Sequence, residues 1–131
     1  MNFSKRSLIS VAAVAITAIA ASGCTSTLAT SEQNACSQYA SALGKANADM
    51  KSGRSPGEAL QKLSDSAQSA SGKASTLLQG YLYTMEADIS GVISAGQSGD
   101  KAAINQAFNT WERDSKKLAD HCSARGINLT G

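Results

Sequence analysis

The chain has 131 residues and a formal net charge of +2 at pH 7, from 12 basic and 10 acidic side chains. This near balance excludes the strongly basic face that binding to nucleic acid requires, and equally a polybasic patch for anionic lipids. Aromatic residues make up only 5% of the chain, so a small core buries little area per residue and would gain from a covalent cross-link.

The N-terminal 23 residues have the three parts of a secretory signal peptide. Lys5 and Arg6 form a short basic segment, residues 8–21 are almost entirely apolar, and small residues then lead to Cys24. The apolar run is about 14 residues long, shorter than the roughly 20 that a membrane-spanning helix needs. Removal of this segment would leave ten basic and ten acidic side chains.

The segment Ala21-Ser22-Gly23-Cys24 resembles the lipobox of bacterial lipoproteins, with Ala21 at the position where that motif usually has Leu. The resemblance implies cleavage after Gly23, a thioether-linked diacylglycerol on Cys24 and a palmitate-type N-acyl chain. Two or more acyl chains give stable attachment, so the protein would be held on the extracytoplasmic face of the cell membrane. The alternatives are an ordinary secreted protein with an incidental Cys24, and a permanent transmembrane anchor.

Two further cysteines, Cys36 and Cys122, remain for the domain. In an oxidising compartment such a pair is most simply a disulfide, which predicts one long cross-link. A metal or redox pair is the alternative, but the chain has no C-x-x-C motif and only one histidine, His121. We expect no metal and no cofactor beyond the covalent lipid.

Residues 25–34 are small and polar without periodicity, which is typical of a flexible tether. The lipidated cysteine and tether would therefore occupy residues 24–34, and the domain residues 35–131. A first helix is predicted over residues 32–50, where apolar residues recur at intervals of three and four. Its stripe is Cys36, Tyr39, Leu43, Ala46 and Met50.

The second helix is predicted to begin at a Ser55-Pro56-Gly57-Glu58 capping box and to end near Gly72. A third is predicted over residues 75–95, where Gly80 and Gly91 suggest close approach of another helix or a slight bend. The stripes of these two helices are Ala59, Leu60, Leu63, Ala67 and Ala70, followed by Leu78, Tyr81, Leu82, Met85, Ile89, Val92 and Ile93.

A fourth helix is predicted from residue 100 or 101 to about 125, and Gly126 followed by Ile127 is typical of a Schellman ending. Its stripe is Ile104, Ala107, Phe108, Trp111, Leu118 and Cys122. Short connections favour antiparallel neighbours, so we expect an all-α fold, a small up-down-up-down four-helix bundle with one disulfide. In that arrangement Cys36 and Cys122 lie at the same end, which agrees with their pairing.

The pattern contains few residues with catalytic potential. His121 in the last helical turn is interpreted as a surface or end-capping residue. Glu86 and Asp88 are two apart, as are Glu112 and Asp114, so neither pair shares a helix face, and we expect solvated carboxylates. No nucleophile, phosphate or zinc motif is present, which argues against an enzyme.

One tyrosine suggests binding. Tyr83 lies off the apolar face of the third helix, and an exposed tyrosine can anchor a partner, although it can also cover a seam of the bundle. The leading hypothesis is a non-enzymatic, membrane-anchored lipoprotein that binds another envelope component, as an adaptor, an inhibitor or a superinfection-exclusion factor. The alternative is a carrier of a small apolar ligand or lipid between the helices. Both rest on layout alone.

Overall fold

Four α-helices account for most of residues 30–129, the part of the chain that the computed structural model describes. Helix α1 covers residues 30–51, followed by α2 (Pro56–Ser71), α3 (Thr76–Ser98) and α4 (Lys101–Ser123). The described range contains no strand, so the predicted all-α class is confirmed.

The structure also changes the predicted boundary of the tether. Residues 30–34, assigned to the tether by composition, are helical. The helical domain therefore begins earlier than residue 35. The lipobox and Cys24 lie outside the described residues.

The helix ends differ in how they are capped. Asp100 caps α4, because its Oδ1 accepts hydrogen bonds from the backbone N–H groups of Ala102 at 2.9 Å and Ala103 at 3.4 Å. The predicted Schellman ending is confirmed, since Gly126 has φ +81° and the Ile127 N–H donates to the Cys122 carbonyl at 3.0 Å.

The predicted capping box at the start of α2 is wrong. Ser55 makes no side-chain cap hydrogen bond, although Pro56 does occupy the first turn. Glu58 instead points along the helix to Lys62, with Oε1 and Nζ 3.4 Å apart. The first turn of α2 therefore forms without the reciprocal cap. It is stabilised by the fixed φ of Pro56 and by the Glu58–Lys62 pair on the surface.

The core is formed mainly by α2 and α3, with shorter contributions from α1 and from the last turns of α4. The predicted stripes of α2 and α3 are buried in all positions except Tyr81 and Ile93, which are partly buried. The fully buried larger side chains are Tyr39, Leu63, Leu78, Leu82, Met85, Ile89, Leu118, Cys36 and Cys122.

The first half of α4 departs from its predicted role in the core. Leu118 and Cys122 are fully buried, but Phe108 is 44% exposed, and Ile104 and Trp111 are only partly buried. The apolar stripe therefore continues beyond the core that covers it. This leaves large apolar side chains accessible over roughly two turns of the helix.

The glycines of α3 do not serve close helix packing. A Cβ placed on Gly80 or Gly91 would meet no atom within 4 Å, and both residues are exposed. Of the two roles predicted for them, close approach of another helix is therefore wrong, and a slight bend stays a prediction.

Several contacts define which parts of the helices are neighbours. The rings of Tyr81 in α3 and His121 in α4 lie 5.4 Å apart, and the Ser115 hydroxyl lies 3.4 Å from Met85 Sδ. Early residues of α3 thus lie beside late residues of α4. At the same time, Cys36 near the start of α1 is bonded to Cys122 near the end of α4.

Candidate functional site

The predicted disulfide is present between Cys36 and Cys122, with an Sγ–Sγ distance of 2.06 Å and a Cα–Cα distance of 5.7 Å. Both cysteines are fully buried, so neither sulfur is open to an attacking thiolate in the folded protein. The disulfide is a structural cross-link between two cysteines that are 86 positions apart in the sequence.

A polar cluster beside the disulfide connects α1 and α4 with the residue that precedes α3 and with the segment after α4. We call it the Glu32 cluster, and its members are Glu32, Ser75, His121 and Arg125. The Glu32 carboxylate accepts hydrogen bonds from the Ser75 hydroxyl and from Nε of Arg125, and its side chain is 11% exposed. Arg125 also donates to the His121 carbonyl at 2.9 Å. The buried charge of Glu32 is therefore paired, as burial of a carboxylate requires.

His121 belongs to this cluster and is not the surface residue that the sequence suggested. Its side chain is 8% exposed and packs against Tyr81, with Nε2 3.7 Å from Glu32 Oε1. Burial lowers the pKa of His121, because the charged imidazolium is disfavoured away from water. Ser75 bonds to Glu32 and not to the imidazole, so these three side chains do not form a Ser-His-acid triad.

A groove of about 770 Å³ lies between α1 and α4. An apolar extension of about 330 Å³ continues it at Phe108 and Trp111, whose rings are 5.9 Å apart and tilted by 49°. We call the two together the α1–α4 groove. Its lining residues are Tyr39, Leu43, Phe108, Asn109, Trp111, Glu112, Arg113, Ser115, Lys116, Ala119 and Leu129.

Two groove residues, Tyr39 and Trp111, bring polar atoms into the interior. Tyr39 is 2% exposed, and burial raises its pKa to about 12, partly offset by the nearby Trp111 indole N–H and assisted by the charge of Asp88. The Trp111 Nε1 atom is buried and does not reach hydrogen-bonding geometry with any described residue. The same is true of Asp88 Oδ2. A polar interior therefore lies directly behind an apolar groove.

Asp114 of α4 is buried and Asp88 of α3 is partly buried, contrary to the solvated carboxylates that the sequence suggested. Asp114 is only 8% exposed. It accepts from Arg113 Nε at 3.1 Å, from a terminal guanidinium nitrogen of Arg113 at 3.0 Å and from Lys117 Nζ at 2.9 Å.

The two carboxyls have opposite pKa shifts. Hydrogen bonds from Arg113 and then Lys117 hold the pKa of Asp114 well below its usual range. Burial is the main cause that raises the pKa of Asp88, followed by the negative charge of Asp114. Such divergence is typical of acid–base pairs in enzymes. Neither carboxyl, however, is among the residues that line the α1–α4 groove.

The sequence prediction missed the burial of Asp114, because it considered which carboxylates share a helix face and not which of them lie on an apolar stripe. A signal was available in the spacing. Asp88 follows Met85 by three and precedes Val92 by four, and Asp114 has the same relation to Trp111 and Leu118. An aspartate on an apolar stripe is a candidate buried carboxyl, and two such stripes on neighbouring helices bring the candidates together.

Tyr83 is 51% exposed on α3, and Leu77 on the same helix is 60% exposed. The side chain of Tyr83 is thus accessible, and its role as a partner contact stays a prediction.

Among residues 30–129, no group of three or more His, Cys, Asp or Glu side chains is arranged to hold a metal ion. None of the described helices is both long and apolar enough to cross a membrane. Comparison with protein-family models, curated proteins and solved structures gave no match to this chain.

Proposed function

We propose that this protein is a lipid-anchored lipoprotein on the extracytoplasmic face of the cell membrane and that it binds another envelope component without catalysis. The lipobox-like segment ending at Cys24 supports the location. The Cys36–Cys122 disulfide agrees with it, because structural disulfides persist in oxidising compartments.

The observation that carries the binding role is the partly exposed Phe108–Trp111 pair at the mouth of the α1–α4 groove. Exposed aromatic side chains next to a concave apolar surface are common anchors for partners. Charged residues at the rim, Glu112, Arg113 and Lys116, are of both signs, so they would orient a partner more than attract one charge type.

We further propose that α1 to α4 form an antiparallel up-down-up-down bundle. This arrangement determines where the groove lies relative to the disulfide. Its support is the Cys36–Cys122 bond, the Tyr81–His121 contact, and a hydrogen bond of 3.0 Å from Gln38 near the start of α1 to Ser69 near the end of α2. Phe108 precedes Cys122 by 14 residues, or about 21 Å along a helix. In this arrangement the aromatic pair lies toward the end of α4 opposite to the disulfide.

Site-specific photocrosslinking in intact cells tests the binding role. Phe108→benzoylphenylalanine places the reactive ketone in the groove with little change of shape, and the same substitution at Tyr83 probes α3. Gln61 on the exposed side of α2 is the matched control. An adduct with one envelope protein from position 108, absent from position 61, is expected. An adduct from position 83 alone would move the contact to α3, and adducts from neither position would contradict the proposal.

The location has its own test. Cys24→Ser removes the lipid site, so the protein should leave the membrane fraction or remain as an uncleaved precursor. Metabolic labelling with an alkyne fatty acid should mark the wild type and not the variant. Labelling of the variant, or of neither protein, would contradict lipidation at Cys24.

The alternative function, a carrier of a small apolar ligand or lipid, is favoured by the groove volume of about 770 Å³. This lies within the range of roughly 300–1,000 Å³ typical of small-molecule sites. Native mass spectrometry of the full chain released gently from detergent distinguishes the two. A retained mass of lipid size that is lost in Phe108→Ser would support the carrier, whereas a clean apo mass would count against it.

A further inference from the structure

One face of α4 carries both a projecting aromatic ring and a concave apolar surface. Phe108, which is 44% exposed, lies at one end of this face, and Ala119 lines the α1–α4 groove at the other end. The two residues are 11 positions apart, which is about three turns of helix. Near Ala119 the walls of the groove include Leu43 of α1 and Leu129, both partly buried. A ring from another molecule could therefore enter where Phe108 of the same chain does not reach.

Two charged side chains lie between these ends of the face. Glu112 and Lys116 line the groove, and both are exposed. Their spacing of four residues would allow an ion pair within the helix, but neither forms an ion pair with any described residue. The neighbouring cations Arg113 and Lys117, in contrast, are bound by Asp114. One carboxylate and one ammonium group are thus left open to a partner.

The apolar positions and the charged positions have the same centre along α4. The midpoint between Phe108 and Ala119 and the midpoint between Glu112 and Lys116 both fall at residues 113–114. A twofold axis through this turn, perpendicular to α4, lays a second α4 antiparallel against the first. Each Phe108 then lies at the Ala119 end of the other copy's groove, and each Glu112 lies opposite the other copy's Lys116. The face is therefore complementary to itself, as a symmetric dimer requires.

The side chains at the centre of this face are compatible with such a contact. Ser115 is half-buried, and its hydroxyl donates to Met85 Sδ at 3.4 Å, so it brings no unpaired donor to the interface. Arg113 would lie near its own copy, but its charge is compensated by Asp114, which it contacts at 3.0 and 3.1 Å. Burial of the apolar ends can then drive association without a cost from unpaired groups at the centre.

We propose that the α1–α4 groove is occupied by a second copy of this chain, in a symmetric dimer formed by antiparallel α4 helices. The inference rests on the proposed binding surface and names its occupant in the absence of another partner. Phe108 of each copy enters the groove of the other near Ala119, and two Glu112–Lys116 ion pairs fix the register. An envelope partner that binds the groove then has to displace the second copy.

Native mass spectrometry of the full chain, released gently from detergent, counts the copies directly. A mixture of unlabelled and ¹⁵N-labelled chains should give a mixed dimer whose share rises with protein concentration. Phe108→Ser should raise the dissociation constant of the dimer by about tenfold or more, because symmetry removes the aromatic anchor at two places. Tyr83→Ser is the control, since it removes an exposed aromatic side chain from α3 and should leave the dissociation constant unchanged.

An exchange of charges tests the register of the dimer. Glu112→Lys should weaken the dimer, because the new ammonium group faces Lys116 of the other copy. Lys116→Glu added to this variant should restore the dimer, since opposite charges face each other again. Glu58→Lys is the matched control, because it likewise replaces a glutamate four residues before a lysine, Lys62, on an exposed helix surface, and it should have no effect.

A monomer mass at every concentration would overturn the dimer, and so would a dimer that withstands Phe108→Ser or is not restored by the charge exchange. The binding role is judged separately by the photocrosslinking at position 108. An adduct with an envelope protein, formed by a chain that is always monomeric, would refute the dimer and keep the binding role. An adduct of two copies alone would support the dimer and contradict binding to another component.

Discussion

The two ends of α4 are packed very differently. Near its C-terminus, Leu118 and Cys122 are fully buried, the disulfide joins the helix to α1, and the Glu32 cluster joins it to α1 and α3. Toward its N-terminus, Phe108 is 44% exposed and the core does not cover the stripe. We call these regions the disulfide end and the groove end. Fixed contacts are concentrated at one end, which allows the other to keep an apolar surface without losing the fold.

The largest expected effect comes from removing the cross-link. Cys36→Ala combined with Cys122→Ala should lower the free energy of unfolding by about 4–5 kcal/mol, because the disulfide closes a long loop in the unfolded chain. Urea unfolding of the full chain in mild detergent, followed by circular dichroism, measures this. Cys24→Ser is the control and should leave the midpoint unchanged. A loss below about 1 kcal/mol would mean that the disulfide end does not depend on its cross-link.

The comparison of the two ends is tested most directly by two truncations on the same helix. Leu118→Ala should cost about 2–5 kcal/mol, since it opens a cavity in a fully buried site. Phe108→Ala should cost less than about 1 kcal/mol, because nearly half of that larger side chain is already in water. Equal losses in urea unfolding would show that the groove end is packed as firmly as the disulfide end.

A smaller effect is expected from the Glu32 cluster. Glu32→Gln removes the charge that accepts from Ser75 and Arg125, and should lower the free energy of unfolding by about 1–3 kcal/mol. Glu58→Gln is the matched control, because the Glu58–Lys62 pair is largely exposed and should contribute almost nothing. If the two variants unfolded at the same denaturant concentration, the cluster would have no special role in holding α1.

The helices could be predicted from the sequence because their apolar residues recur at intervals of three and four and their ends carry Pro56, Asp100 and Gly126. The disulfide could be predicted because the N-terminal segment indicates an oxidising compartment and because the predicted bundle brings the two cysteines to the same end. The sequence did not predict polar contacts between side chains on different helices. The sequence predicted that Glu32 belongs to the tether, because the residues that it binds, Ser75 and Arg125, are 43 and 93 positions away along the chain. Burial of Asp114 likewise depends on how α3 packs against α4, and its position on the apolar stripe of α4 marks it only as a candidate.

The smallest effect concerns His121 and has a defined sign. Burial lowers its pKa below the ordinary value of 6.5, although the Glu32 carboxylate 3.7 Å away favours the charged form and so opposes the shift. The unfolded chain then binds a proton at a higher pH than the folded chain does. Stability should be fully present above about pH 6.5 and should fall as the pH drops from there through the folded pKa.

His121→Phe keeps the ring packing against Tyr81 and removes the titrating group, so it should flatten the pH dependence of unfolding in this window. Glu32→Gln should steepen it, because the carboxylate no longer offsets the cost of burying the imidazolium. Parallel curves for wild type and His121→Phe between pH 5 and 7 would mean that His121 is hydrated in solution. The disulfide end would then be less tightly closed than its contacts indicate, and its contrast with the groove end would be reduced to the cross-link and Leu118.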